Sequence, residues 1–169
     1  MQVLGSKVSM PNMKTFDSVN TPLIGTNLIE ASAGTGKTYT IAGLFLRLVL
    51  EKNLPADQIL VVTFTKAATE ELKDRIRNKL LQAKSAFLKG KSDDILIDAL
   101  VKKLDNPALA VKLIQDTLVD FDNAAIFTIH GFCNRILHEN AFETKSLFDT
   151  ELVVDQHGLF QEVADDFWR

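Results

Sequence analysis

Apolar residues along the chain form two kinds of pattern, short continuous runs and stripes with helical spacing. The run at residues 27–31 predicts a strand, and the spacing of Ile41 and Phe45 after it predicts a helix over residues 37–52. The run at residues 59–63 is apolar and β-branched, which is typical of a strand buried on both faces. A strand, a helix and a second strand in this order predict a right-handed crossover between parallel strands.

The next part of the chain has helical spacing. A long helix is predicted to begin near Lys66 and to carry an apolar stripe into the eighties, until Gly90 ends it. Residues 92–121 show a helical and polar pattern, which predicts a helical insertion outside the sheet. Within this insertion we expect Ser92 to cap one helix and Asn106 to cap another, whose first residue is a proline.

Strand patterns return after this insertion. Residues 124–128 predict a strand, followed by a helix from about Gly131. Residues 152–154 predict a further short strand or extended segment, and residues 156–169 predict an amphipathic helix. Residues 1–15 combine weak periodicity with several helix breakers, so we expect a flexible leader there.

Composition and charge limit the classes of function. The 169 residues are 46% hydrophobic and 24% charged, as in a soluble globular domain. The formal net charge of -3 argues against a domain that grips nucleic acid by its overall charge, so any such contact must be local. Lysine and arginine are concentrated in residues 66–91, which fits either a local basic surface or a solvated helix face.

Cysteine use and hydropathy bear on the cellular compartment. The chain has one cysteine, Cys133, so it cannot form an internal disulfide, and no cysteine and histidine cluster has the spacing of a zinc site. No apolar run approaches the ~20 residues that a membrane-spanning helix needs. We therefore expect a protein of the reducing cytoplasm that makes no membrane contact.

A glycine-rich segment between the first predicted strand and helix follows the Walker A pattern, with alanine in place of the first glycine. Its glycines allow backbone conformations that turn successive N–H groups inward, where they bind anions. The alternative, a glycine-rich turn with an incidental lysine, does not explain the strand before the segment and the helix after it. The predicted ATP-binding residues are Ala31, Ser32, Ala33, Gly34, Thr35, Gly36, Lys37 and Thr38.

Two of these residues are the predicted catalytic groups. Lys37 is expected to reach the β and γ phosphates of ATP, and Thr38 to offer its hydroxyl to Mg²⁺. The following helix adds the partial positive charge of its N-terminus. The segment therefore predicts ATP and Mg²⁺ as the bound groups, and it predicts an α/β fold of the P-loop class.

A second candidate site follows the strand at residues 59–63. Thr63, Phe64, Thr65 and Lys66 are expected at the carboxyl edge of the sheet, where ligands bind. The hydroxyls and the lysine suit phosphodiester oxygens, and Phe64 suits stacking on a base. The alternatives are that Phe64 packs beneath the sheet edge and that the threonines satisfy local backbone groups.

Residues 63–68 and 128–133 resemble two motifs of the UvrD-like superfamily-one helicases, and they follow the Walker A segment in the same order. In that family the second of these motifs touches the backbone of single-stranded DNA, which implies DNA contacts for Thr128 and His130. The alternative for His130 is a helix-capping role. Within this group, the chain resembles the RecB-type helicase and nuclease subunits of bacterial exodeoxyribonuclease V. The resemblance lies in residues 28–38, 59–77, 125–133, 140–143 and 166–169.

This resemblance implies a RecA-like parallel sheet with helices on both faces. Residues 16–140 would form the front part of the first motor domain, and residues 141–169 the start of an inserted helical subdomain. The full protein would be an ATP-dependent DNA helicase and exonuclease of double-strand break repair and recombination, moving 3′ to 5′ on single-stranded DNA. Its partners would be DNA and the other subunits of a RecBCD-type complex.

The chain by itself is expected to be a fragment without helicase activity. It offers no acidic pair for the Walker B position, no assignable arginine finger and no nuclease residues. Adenine recognition is also unassigned, because residues 16–25 contain no glutamine. Three rival interpretations remain at this point: a different UvrD-like helicase or helicase-nuclease, a P-loop kinase acting on a small molecule, and a nucleotide-dependent interaction module without catalysis.

Overall fold

The computed structural model describes residues 15–32, 34–140 and 157–168. Within these ranges the chain is an α/β protein with a small parallel sheet, and two single-turn 3-10 helices lie at Ala56–Gln58 and Phe121–Asn123. The helices and strands are α1 Lys37–Lys52, β1 Val61–Thr63, α2 Lys66–Lys89, α3 Ile95–Lys103, α4 Pro107–Val119, β2 Ile126–Thr128, α5 Ile129–Glu139 and α6 His157–Phe167. The predicted helices at α1, α2, α5 and α6 are thereby confirmed, as is the start of α4 after Asn106.

The described residues divide into two compact units. The first ends at Thr128 and contains α1 to α4 with both strands, and the second begins at Ile129 and contains α5 and α6. The Walker A segment and the residues around Phe64 belong to the first unit, whereas His130 belongs to the second. The predicted strand at residues 152–154 lies outside the described residues, as do residues 1–14 of the leader predicted at residues 1–15.

The sheet consists of β1 and β2, which run parallel. Val61 pairs with Ile126 and Thr63 pairs with Thr128, while the N–H of Val61 donates to the Ala125 carbonyl at 2.9 Å. Helices α2, α3 and α4 form the connection between the two strands. This register brings the carboxyl ends of both strands to the same edge.

The predicted strand at residues 27–31 is wrong for this structure. These residues have no regular secondary structure, and the side chain of Leu28 is 93% exposed. A strand forms only when a neighbouring strand accepts and donates its backbone hydrogen bonds. In the described part of the chain, β1 and β2 pair with each other and not with this segment, so the predicted crossover through α1 is not formed either.

The prediction that residues 59–63 are buried on both faces is also wrong. Leu60 is 48% exposed and Val62 is 46% exposed, and these alternate residues share one face of the sheet. On the other face Val61 packs against the core and Ile126 is buried within it, beside α2, which contacts both strands. Among the described residues, the helices therefore cover one face of the sheet, where both faces were expected to be covered.

The core lies mainly between helices. Phe45 and Leu46 of α1, Ile76 and Leu80 of α2 and Ile114 of α4 are fully buried. Helix α3 adds further apolar side chains to the same cluster. The insertion at residues 92–121 is therefore helical as predicted, but its inner side is apolar and belongs to the main core.

The cap of α3 differs from the prediction. Asp94, not Ser92, is the N-cap, and its Oδ1 accepts a hydrogen bond from the N–H of Ile97 at 3.0 Å. The Oγ of Ser92 instead accepts from the N–H of Asp94 at 3.1 Å. Three consecutive residues here can cap a helix, and Asp94 is selected because its carboxylate also meets side chains of α1 and α2.

A buried arginine attaches the segment that precedes the Walker A residues. Arg47 of α1 donates from Nη1 to the carbonyls of Ser18 and Thr21 at 3.1 and 2.9 Å, and from Nε to Glu51 at 2.6 Å. Burial alone would raise the pKa of Glu51, but the hydrogen bonds from Arg47 and Lys103 hold it below its usual value. The approach to the Walker A segment is therefore fixed against the middle of α1.

Candidate functional site

The Walker A segment contains two glycines in left-handed backbone conformations. Gly34 has a φ of 78° and Gly36 a φ of 85°. A Cβ at Gly34 would meet no atom within 4 Å, and at Gly36 it would meet only the Cβ of Tyr39 at 3.9 Å. These positions need glycine because of the backbone angle and not because of crowding. Ala33 lies outside the described residues.

The side chain of Lys37 hydrogen-bonds to carbonyls of its own loop. Its Nζ donates to the carbonyl of Ser32 at 2.7 Å and to that of Ala31 at 3.2 Å. The same Ser32 carbonyl also accepts the hydroxyl of Thr35 at 2.7 Å. The side chain of Lys37 is exposed, so its ammonium can exchange these carbonyls for another acceptor without leaving a buried charge.

The N-terminus of α1 offers unsatisfied donors beside this lysine. Gly36 is the N-cap and supplies no side-chain acceptor, and the first turn contains no acidic residue. The hydrogen bond from the Thr40 N–H to the Gly36 carbonyl, at 2.9 Å, is the first along the helix. The N–H groups ahead of it, including that of the half-buried Thr38, are therefore available to an anion.

Phe64 lies directly after β1 and is 86% exposed. The alternative in which this ring packs beneath the sheet edge is therefore wrong. An exposed aromatic ring at the carboxyl end of a strand is suited to stacking, although it contributes nothing to the core. Lys66, the first residue of α2, is also exposed.

The threonines beside Phe64 serve local structure. Thr65 caps α2, since its side chain accepts the N–H of Ala68 at 3.1 Å. Thr63 shares a 2.6 Å hydrogen bond with Thr69 and donates to the Thr65 carbonyl at 3.2 Å. These bonds support the local-backbone alternative for Thr63 and Thr65. A hydroxyl keeps a second acceptor position, so the predicted DNA role of both residues stays a prediction.

The strand register brings two of the predicted DNA-side residues together. Thr63 and Thr128 are Cα partners at the last positions of β1 and β2. His130 is the second residue of α5 and its side chain is exposed. No hydrogen bond in the described part of the first unit joins Thr63 or Thr65 to the Walker A segment. The threonines beside Phe64 and the Walker A residues are therefore two separate groups within that unit.

The basic residues of α2 behave largely as a solvated helix face. Lys73 pairs with Glu70 at 3.1 Å and Arg75 pairs with Glu71 at 2.9 Å. Exposed pairs of this kind stabilise a helix by only about 0.3–0.5 kcal/mol. The basic residues of 66–91 were interpreted either as a local basic surface or as a solvated helix face. For Lys73 and Arg75 the ion pairs favour the solvated helix face.

The described part of the chain contains neither a membrane-spanning helix nor a metal-binding cluster of side chains. None of the helices there is both long enough and apolar enough to cross a bilayer. No group of three or more histidine, cysteine, aspartate or glutamate residues there is arranged to hold a metal ion. The predicted Mg²⁺ contact through Thr38 does not need such a cluster, since Mg²⁺ usually keeps several waters and binds substrate phosphates with few protein ligands.

Sequence reasoning missed a polar cluster next to the Walker A segment. Tyr39 donates its hydroxyl to Asp94 at 3.0 Å, and Lys79 donates to the same carboxylate at 2.5 Å. Lys79 is only 4% exposed. A signal existed, because Lys79 lies on the apolar stripe of α2 beside Ile76 and Leu80, where a lysine needs a buried partner.

Comparison with known proteins agrees with the resemblance seen in the sequence. The family described as UvrD/REP helicase N-terminal domain matches residues 12–167. The chain is 44% identical over 164 residues to the RecBCD enzyme subunit RecB of Escherichia coli (strain K12), covering 92% of this chain and 14% of that protein. It is also 44% identical over 173 residues to RecB of Haemophilus influenzae, covering 91% of this chain and 14% of that protein.

A more distant relative shows the same pattern of coverage. RecB of Mycobacterium tuberculosis (strain H37Rv) is 35% identical over 144 residues, which is 83% of this chain and 13% of that protein. The chain thus spans about one seventh of the length of the curated relatives that it matches. The resemblance to UvrD-like helicases and RecB-type subunits is confirmed, and the chain belongs to the UvrD/REP helicase N-terminal domain family.

Proposed function

We propose that this chain binds the triphosphate of ATP with Mg²⁺ through residues 31–38, as the P-loop of a helicase motor domain. One observation carries the proposal. Gly34 and Gly36 hold left-handed conformations directly ahead of a helix that begins at Lys37 without a side-chain cap. A helix N-terminus preceded by such glycines offers several backbone donors to one anion, and the ammonium of Lys37 lies beside them.

Each residue has a distinct role in this proposal. Lys37 exchanges the carbonyls of Ala31 and Ser32 for phosphate oxygens, where it neutralises charge on the β and γ phosphates. Thr38 would offer its hydroxyl to Mg²⁺, which would neutralise part of the phosphate charge. Gly34, Thr35 and Gly36 supply backbone donors, for which the N–H of Thr35 gives up its 3.4 Å bond to the Ser32 carbonyl.

We place a single-stranded DNA contact at the carboxyl edge of the sheet. Phe64 supplies an exposed ring for base stacking, and Lys66 supplies a positive charge for the backbone. Thr63, Thr65 and Thr128 are the further proposed DNA-side residues of the first unit, and His130 is proposed as a DNA-side residue of the second unit by itself. The support is the exposure of Phe64 together with the pairing of Thr63 and Thr128 at the ends of adjacent strands.

The similarity to RecB supports a wider proposal for the whole protein. We infer an ATP-dependent helicase and exonuclease subunit of a RecBCD-type complex, acting in the cytoplasm on DNA ends in double-strand break repair and moving 3′ to 5′. Residues 16–140 would be the front of its first motor domain, and residues 141–169 the start of an inserted helical subdomain. Another UvrD-like helicase-nuclease is the main rival, whereas a small-molecule kinase does not account for a family match over residues 12–167.

The chain alone is proposed to lack helicase activity, since it spans about 14% of its RecB relatives. Its nucleotide binding is nevertheless testable by competition. We expect ATP and ADP with Mg²⁺ to displace a fluorescent ATP analogue far better than AMP, because the proposed contacts are to the β and γ phosphates. Equal competition by AMP, or no binding of the analogue, would contradict the proposed phosphate site.

A further inference from the structure

A buried cation lies close to the first turn of α1. The Nζ of Lys79, on α2, is 2.5 Å from Oδ2 of Asp94 and 3.8 Å from the centroid of the Tyr39 ring. The hydroxyl of Tyr39 donates to the same carboxylate oxygen at 3.0 Å. Three elements therefore meet in one polar group, here called the Lys79 cluster: α1 through Tyr39, α2 through Lys79 and the N-cap of α3 through Asp94.

The Lys79 cluster has well-matched donors and acceptors. Asp94 also accepts the N–H of Ile97, so its two oxygens receive three hydrogen bonds. Burial alone would raise the pKa of Asp94, but the bonds from Lys79 and Ile97 outweigh it and lower that pKa. Burial, together with the bond to Asp94 and its charge, raises the pKa of Tyr39 to about 12. At neutral pH the carboxylate is thus charged and the phenol remains a donor.

The Lys79 cluster includes a residue of the first turn of α1, next to the proposed phosphate-binding residues. Tyr39 follows Lys37 and Thr38 in the first turn of α1. One turn further along, a Cβ on Gly43 would lie 2.5 Å from Cδ2 of Leu96, so α3 closely approaches α1 there. The first two turns of α1 therefore contact the beginning of α3.

A second ion pair joins the other ends of the same two helices. Lys103, the last residue of α3, donates to Oε2 of Glu51 near the end of α1 at 2.9 Å. The N-cap and the last residue of α3 thus each form a hydrogen bond with a side chain near one end of α1. The two attachments differ in position, since only the Lys79 cluster adjoins the proposed phosphate site.

We propose that Tyr39 and Asp94, joined through Lys79, are positioning residues that hold the first turn of α1 in the orientation needed for triphosphate binding. This inference rests on the proposed function of residues 31–38. Neither Tyr39 nor Asp94 is assigned a phosphate contact, and the cluster acts by fixing the helix that carries Lys37 and Thr38. Replacing a buried ion pair by apolar residues of similar volume is often neutral for stability, and the role assigned to the cluster is therefore placement of the helix.

The affinity of the 169-residue chain for Mg²⁺ and ATP tests this role. Tyr39→Phe keeps the ring beneath Lys79 and removes one hydrogen bond to Asp94. Lys103→Met is the matched control, because it removes one bond at the far end of the same pair of helices. We expect Tyr39→Phe to weaken ATP binding about two- to tenfold, the range for one lost hydrogen bond, and Lys103→Met to bind like the wild type.

Thermal unfolding separates positioning from stability. The two variants are expected to unfold at similar temperatures, so a purely structural role predicts the same ATP affinity for both. Equal affinity of Tyr39→Phe and the wild-type chain would overturn the inference while leaving the phosphate site intact. A wild-type chain that binds no ATP would overturn the proposed function, and the inference with it.

The single tyrosine of the chain gives an independent readout of the cluster. Absorbance of tyrosinate in the near ultraviolet reports only Tyr39, and the wild-type midpoint is expected at about 12. In Asp94→Asn the midpoint should fall toward the ordinary value of about 10, and ATP affinity should fall as in Tyr39→Phe. A wild-type midpoint already at the ordinary value would show that the cluster does not form in solution.

Discussion

Replacing Lys37 with alanine is expected to weaken ATP binding by about 1.5–3 kcal/mol, or roughly 10- to 150-fold, which is the worth of a hydrogen bond to a charged group. The reason is that Lys37 is the only lysine or arginine among residues 31–38, and its Nζ already contacts two carbonyls of that loop. Isothermal titration with Mg²⁺ and ATP would measure the change directly.

The fold should be unaffected by this substitution. Lys37 is exposed and its recorded side-chain bonds go to loop carbonyls, so unfolding free energy should change by no more than about 0.5 kcal/mol. Lys52→Ala, at the exposed far end of α1, is the control and should bind ATP like the wild type. Equal affinity of Lys37→Ala and the wild type would remove the assignment of the phosphate site.

Replacing Phe64 with alanine is expected to weaken binding of a single-stranded oligodeoxynucleotide by about 1–3 kcal/mol, the worth of one stacked base. The ring is 86% exposed, so its loss should leave the core intact. Fluorescence anisotropy with a labelled oligonucleotide would measure the affinity, and thermal unfolding would check the fold. Phe64→Trp keeps an aromatic face and should retain most of the affinity.

The control for the Phe64→Ala experiment is a substitution of another exposed apolar residue. Leu88 lies near the far end of α2 and away from the strand ends, so Leu88→Ala should not change oligonucleotide binding. If Phe64→Ala and Leu88→Ala bound equally well, the ring would have no stacking role. A wild-type chain without measurable affinity would contradict the whole proposed DNA edge.

Helices were predictable because their signals are local. Gly90 ends α2 with a φ of 75°, and Asn106 caps α4 by accepting the N–H of Leu109. Both effects depend on residues within one turn of the cap. The prediction of a strand at residues 27–31 was wrong because a strand needs a partner that is distant in sequence. The apolar composition of the segment does not show which partner, if any, it pairs with.

The glycine conformations of the Walker A segment could be predicted because they are local, whereas the Lys79 cluster joins distant residues and could not be predicted. The left-handed turns at Gly34 and Gly36 are dictated by the glycines themselves. The cluster instead joins residues 39, 79 and 94, which are far apart in sequence. The lysine on the apolar stripe of α2 indicated a buried partner, but the choice of Asp94 over its neighbours depends on how α1, α2 and α3 pack.

The central claim is that the backbone from Gly34 to Thr38 and the ammonium of Lys37 bind a triphosphate. The most direct measurement is a crystal structure of the chain with Mg²⁺ and a non-hydrolysable ATP analogue. The claim predicts phosphate oxygens within hydrogen-bonding distance of these amides, with Lys37 Nζ moved from the Ala31 and Ser32 carbonyls onto the phosphates. Nucleotide bound elsewhere, with Lys37 still on those carbonyls, would contradict it.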